Sequence, residues 1–106
     1  MSLAHINDGN FEATVSKGIT IVDFWAEWCG PCRMFGPIFE AASAKHATVK
    51  FAKFEIDDAN RRMPAKYGIR SIPSILAFRD GELIEARTGL MSPDDLDDWV
   101  AQLTGA

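Results

Sequence analysis

Two cysteines with two residues between them, Cys29-Gly30-Pro31-Cys32, are the part of this chain best equipped for chemistry. Thiols at that spacing can exchange with a disulfide: one sulfur attacks and the other resolves the mixed disulfide. The run follows Ile19 to Trp25, a β-branched and aromatic stretch that reads as a buried strand, and it opens a helical pattern. Pro31 suits the first turn of that helix. Cys29 then stands at the helix N-terminus, where free backbone N–H groups and the positive end of the macrodipole favour a thiolate. Cys32 shares a helix face with it at a separation that a disulfide tolerates. Cys29 is expected to face solvent at the helix tip and attack, and Cys32 to point into the helix body and resolve.

Closing so short a loop removes only about 2 kcal/mol of unfolded-state entropy, so the bond does little as a staple. Its tightness instead makes Cys32 a fast intramolecular attacker. Zinc and inert core cysteines are the competing readings. A closed zinc site needs four ligands, and besides the pair the chain offers only His5 and His46, far apart in sequence. The strand–turn–helix context argues against incidental cysteines.

Asp23 interrupts the apolar strand on the face shared by Ile19, Ile21 and Trp25. Burial there would raise its pKa and suit it to exchange a proton with a thiol; the pattern alone also allows an acid on an outer edge. Lys53 alone reads as an ordinary strand lysine. Trp25 alternates inward with the core. Trp28 falls in the turn, as a substrate-facing platform or a packed turn residue. Pro73, ahead of a β-branched run, marks a strand start.

The elements that must hold these residues alternate. Leu3 to Ile6 reads as a short strand, and Asn7 or Asp8 can cap a helix carrying Phe11 and Val15 that Gly18 stops. A helix from about Pro31 to His46 places Met34, Phe35, Ile38, Phe39 and Ala42 on one face, with Pro37 expected to kink it. Val49 to Ile56 is a strand, and Asp57 or Asp58 can cap a short helix ending near Gly68. Ser74 to Phe78 and Glu82 to Thr88 flank the Asp80-Gly81 hairpin signal. Ser92, Pro93 and Asp95 open a last helix with Leu96, Trp99, Val100 and Leu103 as its apolar stripe. The order β-α-β-α-β-α-β-β-α implies an α/β fold: one mixed sheet, parallel pairings with an antiparallel hairpin edge, and helices on both faces.

The segment Val22-Asp23-Phe24-Trp25-Ala26-Glu27-Trp28-Cys29-Gly30-Pro31-Cys32 resembles the active-site segment of the thioredoxin family. The resemblance extends over nearly the whole chain, through Phe51-Ala52-Lys53, Ile56-Asp57, Tyr67-Gly68-Ile69-Arg70-Ser71-Ile72-Pro73, Asp80-Gly81-Glu82 and Gly89. It implies a single thioredoxin domain over residues 1–106, a mainly five-stranded mixed sheet and four flanking helices. It further implies protein-disulfide reduction through Cys29 and Cys32, with Asp23 beneath the disulfide as proton acceptor and donor and Lys53 as its modulating partner. Pro73 is expected to be cis and to offer backbone to a target. Trp28, Gly30, Pro31, Ile56, Ile72, Pro73, Gly89 and Leu90 would outline a shallow docking surface. Electrons are expected from NADPH through a thioredoxin reductase, with no cofactor bound by the chain and disulfide-containing proteins as targets. The neutral Gly30-Pro31 pair resembles the reducing members of the family. Phe35-Gly36, Ser71, Ser74 and Leu90 depart from the commonest family choices, and Gly36 is expected to loosen the helix before Pro37.

Composition agrees with a small acidic globular domain. The chain has 106 residues, 47% hydrophobic and 25% charged, enough to bury a core without staples. A net charge of -4 disfavours nucleic acid, whose phosphates need clustered Lys and Arg; Arg61-Arg62 reads as a solvated helix face. No segment approaches the roughly 18 apolar residues of a membrane span. The first ten residues lack the basic patch and apolar core of a signal peptide, so a monomer in the cytoplasm is the expectation.

Overall fold

The computed structural model describes residues 3–105. Its elements run β1 (Leu3–Ile6), α1 (Phe11–Val15), β2 (Ile19–Trp25), α2 (Gly30–Lys45), β3 (Lys50–Glu55), α3 (Arg62–Lys66), β4 (Ser74–Arg79), β5 (Glu82–Thr88) and α4 (Pro93–Thr104). The expected element order therefore holds. The strands form one sheet in the order β1-β3-β2-β4-β5.

Alternation along the central strands divides the core. Ile21, Phe51, Ile75 and Ala77 pack beneath α2 and α4 with Phe35, Phe39, Leu96 and Trp99. Val22, Phe24, Phe54, Leu76 and Phe78 point to the opposite face, against Phe11 of α1 and Met63 of α3. By the same parity Asp23 and Trp25 share the α2 face with Ile21.

The pairing differs from expectation in one respect. β1, β3 and β2 are parallel, but β4 runs antiparallel to β2, as well as to β5. β3 ends beside Trp25, and β4 begins with Ser74 opposite Phe24, at the same end of the sheet. The connection over residues 56–73 carries a single short helix, α3, and returns the chain to the end of the sheet at which β3 finished. The active-site loop and the Pro73 loop thus come to the same edge.

Several local expectations are corrected. Asn7 and Asp8 do not cap α1, which begins after Asn10 with no side-chain cap. Asn7 Oδ1 instead accepts from the Gly9 and Asn10 N–H groups, closing the preceding turn. Asp57 caps no helix; its Oδ1 accepts from the Ala59 backbone and the Asn60 amide, and α3 starts only at Arg62. Met34 is 64% exposed, because the buried face of α2 is the narrower stripe of Cys32, Phe35, Gly36, Phe39, Ala42 and Ser43. Gly36 does not interrupt the helix, which continues through Pro37 to Lys45.

The local signals that held are equally specific. Asp80 and Gly81 both adopt positive φ, the two-residue turn that Asp-Gly favours. Ser92 Oγ accepts from the Asp95 N–H at the start of α4. No described helix is long and apolar enough to cross a membrane.

Candidate active site

Cys29 is the N-cap of α2. It has extended dihedrals, and its Sγ accepts from the Cys32 backbone N–H at 3.2 Å. Sulfur thus takes the place of the oxygen that usually satisfies this orphan donor. Pro31 has no N–H to offer, so the Cys32 amide becomes the first strong donor aimed at Sγ. A negative charge on Cys29 gains from this bond and from the helix dipole together. The two cysteines are disulfide-bonded, with Cα atoms 5.3 Å apart.

Cys29 is less open than expected. It is 5% exposed and Cys32 2%, because Trp25, Ala26 and Ile72 close around them. The order of exposure still favours Cys29 as the attacking sulfur.

The surroundings of Cys29 are backbone and apolar side chains. The Ile72–Pro73 bond is cis, and the Ile72 carbonyl oxygen lies 3.8 Å from Cys29 Sγ. The Pro73 carbonyl accepts from the Gly89 N–H at 2.8 Å, which ties the loop before α4 to the same edge. Gly89 has φ +90°, a conformation that favours glycine. Trp28 is 79% exposed, so the packed-turn alternative fails. Gly30, Pro31 and Leu90 are exposed, Ile72 is half-buried, and Pro73 is buried. Ile56 donates its N–H to the Trp25 carbonyl but packs with the α1/α3 core, at the rim of the surface and not against the cysteines.

Asp23 is fully buried, which removes the outer-edge alternative. Among the described residues neither of its oxygens has a hydrogen-bond partner. Burial pushes its carboxyl up to about 7, with the Lys53 ammonium pulling the other way. Lys53 stands opposite Asp23 in the β2–β3 register and its Nζ lies 4.8 Å from the Trp25 ring centroid. The site therefore combines a sulfur at a helix terminus that would favour its anion, a second sulfur bonded to it and so able to attack it once reduced, and a carboxyl balanced between its two protonation states near neutral pH.

The thioredoxin family model matches residues 2–102. The chain belongs to the thioredoxin family. Thioredoxins are protein-disulfide oxidoreductases, and the chain is accordingly one, working by dithiol–disulfide exchange through Cys29 and Cys32. It is 43% identical to the thioredoxin of Rickettsia bellii over 92% of this chain and 94% of that one. To the thioredoxin of Rhodospirillum rubrum it is 42% identical over 92% and 96%. Among solved structures, the thioredoxin of Malassezia sympodialis superposes with a TM-score of 0.84 at 34% identity, covering 95% of this chain and 90% of that one. The observed five-stranded mixed sheet with four helices is the thioredoxin fold.

Two residues gain a place at this thioredoxin site that the sequence did not give them. Trp25 was expected in the core; it is half-buried, packs against the cysteine cluster and lies against the Lys53 ammonium. Its parity with Asp23 was the available signal. Gly36 is buried on α2, where a Cβ would come 3.5 Å from Lys53 Nζ. Nothing local in the sequence relates those two positions.

Proposed function

We propose that the chain is a general protein-disulfide reductase that serves cell redox homeostasis as a single monomeric domain in the cytoplasm. The Cys29 thiolate attacks one sulfur of a target disulfide, forms a mixed disulfide and releases the other target sulfur as a thiolate. Asp23, as carboxylate, takes the proton from Cys32. The Cys32 thiolate then attacks Cys29 Sγ, expels the second target thiolate and closes the Cys29–Cys32 disulfide. Two electrons pass to the target, and its two thiolates take up protons. Lys53 modulates Asp23 by its charge. The backbone before Pro73 pairs with the target as an added strand, while Trp28, Gly30, Pro31, Ile56, Ile72, Gly89 and Leu90 form the docking surface. A thioredoxin reductase returns the dithiol with electrons from NADPH, and the chain itself carries no cofactor.

The observation that carries this reading is the hydrogen bond from the Cys32 N–H to Cys29 Sγ at the start of α2. It supports the assignment of attacker and resolver, because only Cys29 is stabilised as an anion by the helix terminus. The deciding assay is disulfide reduction with a thioredoxin reductase and NADPH. Wild type is expected to turn over. Cys32→Ser is expected to accumulate a mixed disulfide through Cys29, which a redox-independent binding subunit would not do. No turnover by wild type sinks the proposal.

A further inference from the structure

Among the described residues, the large apolar side chains left exposed are Trp28, Met34, Leu83, Ile84 and Leu90. Leu83 and Ile84 lie on the edge strand β5, and Trp28 and Leu90 fall to the docking surface proposed above. Met34 has neither place. It is 64% exposed on α2, outside the stripe that packs against the sheet.

Helix geometry sets where Met34 reaches. Side chains tilt toward the helix N-terminus, so each covers the surface over the turn before its own Cα. The turn before Met34 holds Gly30 and Pro31, four and three residues back and therefore on the same face. These three residues, with Arg33, line an open recess of about 480 Å³. Gly30 adds no side chain to it, and a Cβ built there would meet nothing within 4 Å. Met34 supplies the largest apolar side chain of the recess.

The exchange chemistry determines what covers this surface. A target held by a disulfide to Cys29 is bonded to the N-cap of α2, one residue before the recess begins. From Gly30 to Met34 the helix rises roughly 6 Å. Two extended residues of a target span about 7 Å, so a side chain close to the reacting cysteine reaches the recess. Methionine suits such a place, because its unbranched, polarisable chain adapts to partners of different shape. Contact between it and an apolar target side chain removes both from water and stabilises the mixed disulfide.

We propose that Met34 is a specificity-determining residue of the exchange reaction: with Gly30 and Pro31 it forms a subsite for an apolar side chain of the target, close in sequence to the cysteine that bonds Cys29. The proposal rests on the reading of Cys29 as the sulfur that joins the target.

The probe is a set of synthetic peptides whose single cysteine is capped as a mixed disulfide with thionitrobenzoate. The Cys29 thiolate attacks the peptide sulfur and expels the thionitrobenzoate anion, whose absorbance reports the rate. Leucine or serine occupies, in turn, each of three positions on either side of the cysteine. With the reduced wild-type chain, leucine is expected to react about fivefold faster than serine, or more, at one position at least. That ratio should fall toward one in Met34→Gln, which keeps the length and adds no charge, and should return in Met34→Leu. A ratio between two peptides on the same chain is unmoved by a general loss of reactivity or of folded protein. No leucine preference at any position overturns the proposal, as does a preference that survives undiminished in Met34→Gln. If Cys32→Ser retains no peptide on Cys29 by mass spectrometry, the underlying reading of Cys29 fails instead, a distinct result.

Discussion

A buried carboxyl without hydrogen bonds, as at Asp23, lowers the stability of the fold whenever it is charged. The sign follows from its pKa, raised by burial to about 7 from an ordinary value of 3.8. Below pH 4 both folded and unfolded chains hold the proton, and the group adds no pH dependence. Between about 4 and 7 only the folded chain holds it, so stability falls as pH rises, and above 7 the loss is complete. The full loss is about 4 kcal/mol at most, from about three units at ~1.4 kcal/mol each. Asp23→Asn should therefore be more stable than wild type at pH 8, with a flatter dependence between pH 4 and 7 in urea melts. On the proposed mechanism it should also slow the release of mixed disulfides at neutral pH, since Cys32 would lose its base. Equal slopes in the two proteins would show that Asp23 is not the titrating group. The sequence made this residue visible, because a charge in an apolar strand stands out by pattern alone. What stands around it was not visible: Trp25 reads as core in any alternation, and Lys53 comes opposite Asp23 only through strand pairing.

At the scale of elements, the correction at Asp8 has a clear physical cause. Ser92 and Asp95 lie three residues apart, so their bond is written in local spacing and was legible. Asp8 serves α3, more than fifty residues away, and no spacing encodes that. Its carboxylate accepts from the Met63 N–H at 2.9 Å and from the Arg62 N–H at 3.0 Å, satisfying donors that Arg61 cannot. Burial acts to raise the Asp8 carboxyl, but these two bonds and the Arg62 charge outweigh it and hold it below its ordinary value. Asp8→Ala should cost on the order of 1–2 kcal/mol at pH 7, the usual range for losing a cap. The stabilisation is present above the unfolded value of 3.8 and is lost as pH falls through the lower folded one, so the gap should narrow in strong acid. Urea midpoints at pH 7 and pH 3 would measure both effects. The direction of β4 was hidden for a related reason: it depends on which end of the sheet the connection over residues 56–73 delivers the chain to, and no local spacing encodes that.

For the whole molecule, what matters is that the reactive pair stands apart from the two cores. The clusters beneath α2/α4 and α1/α3 hold the sheet from both sides. Cys29 and Cys32 belong to a third, small cluster with Ala26, Trp25 and Ile72 at one end of the sheet. A disulfide placed there joins residues only three apart in sequence, so it restricts the unfolded chain little. In the reduced state the Cys32 N–H bond to Cys29 Sγ becomes charge-assisted and returns part of what the lost link supplied. Reduction should therefore lower stability by no more than about 2 kcal/mol, a fall in Tm of roughly 10 °C for a domain of this size, with one cooperative transition retained. Guanidinium melts of the oxidised and reduced chain would show it, with Cys29→Ser/Cys32→Ser as a control that cannot reoxidise. A loss beyond about 4 kcal/mol, near the upper end for any single disulfide, would mean that the bond is a structural staple. A small loss is what the exchange cycle needs, because the same fold must present Cys29 as a thiolate in one half of the cycle and as a disulfide in the other.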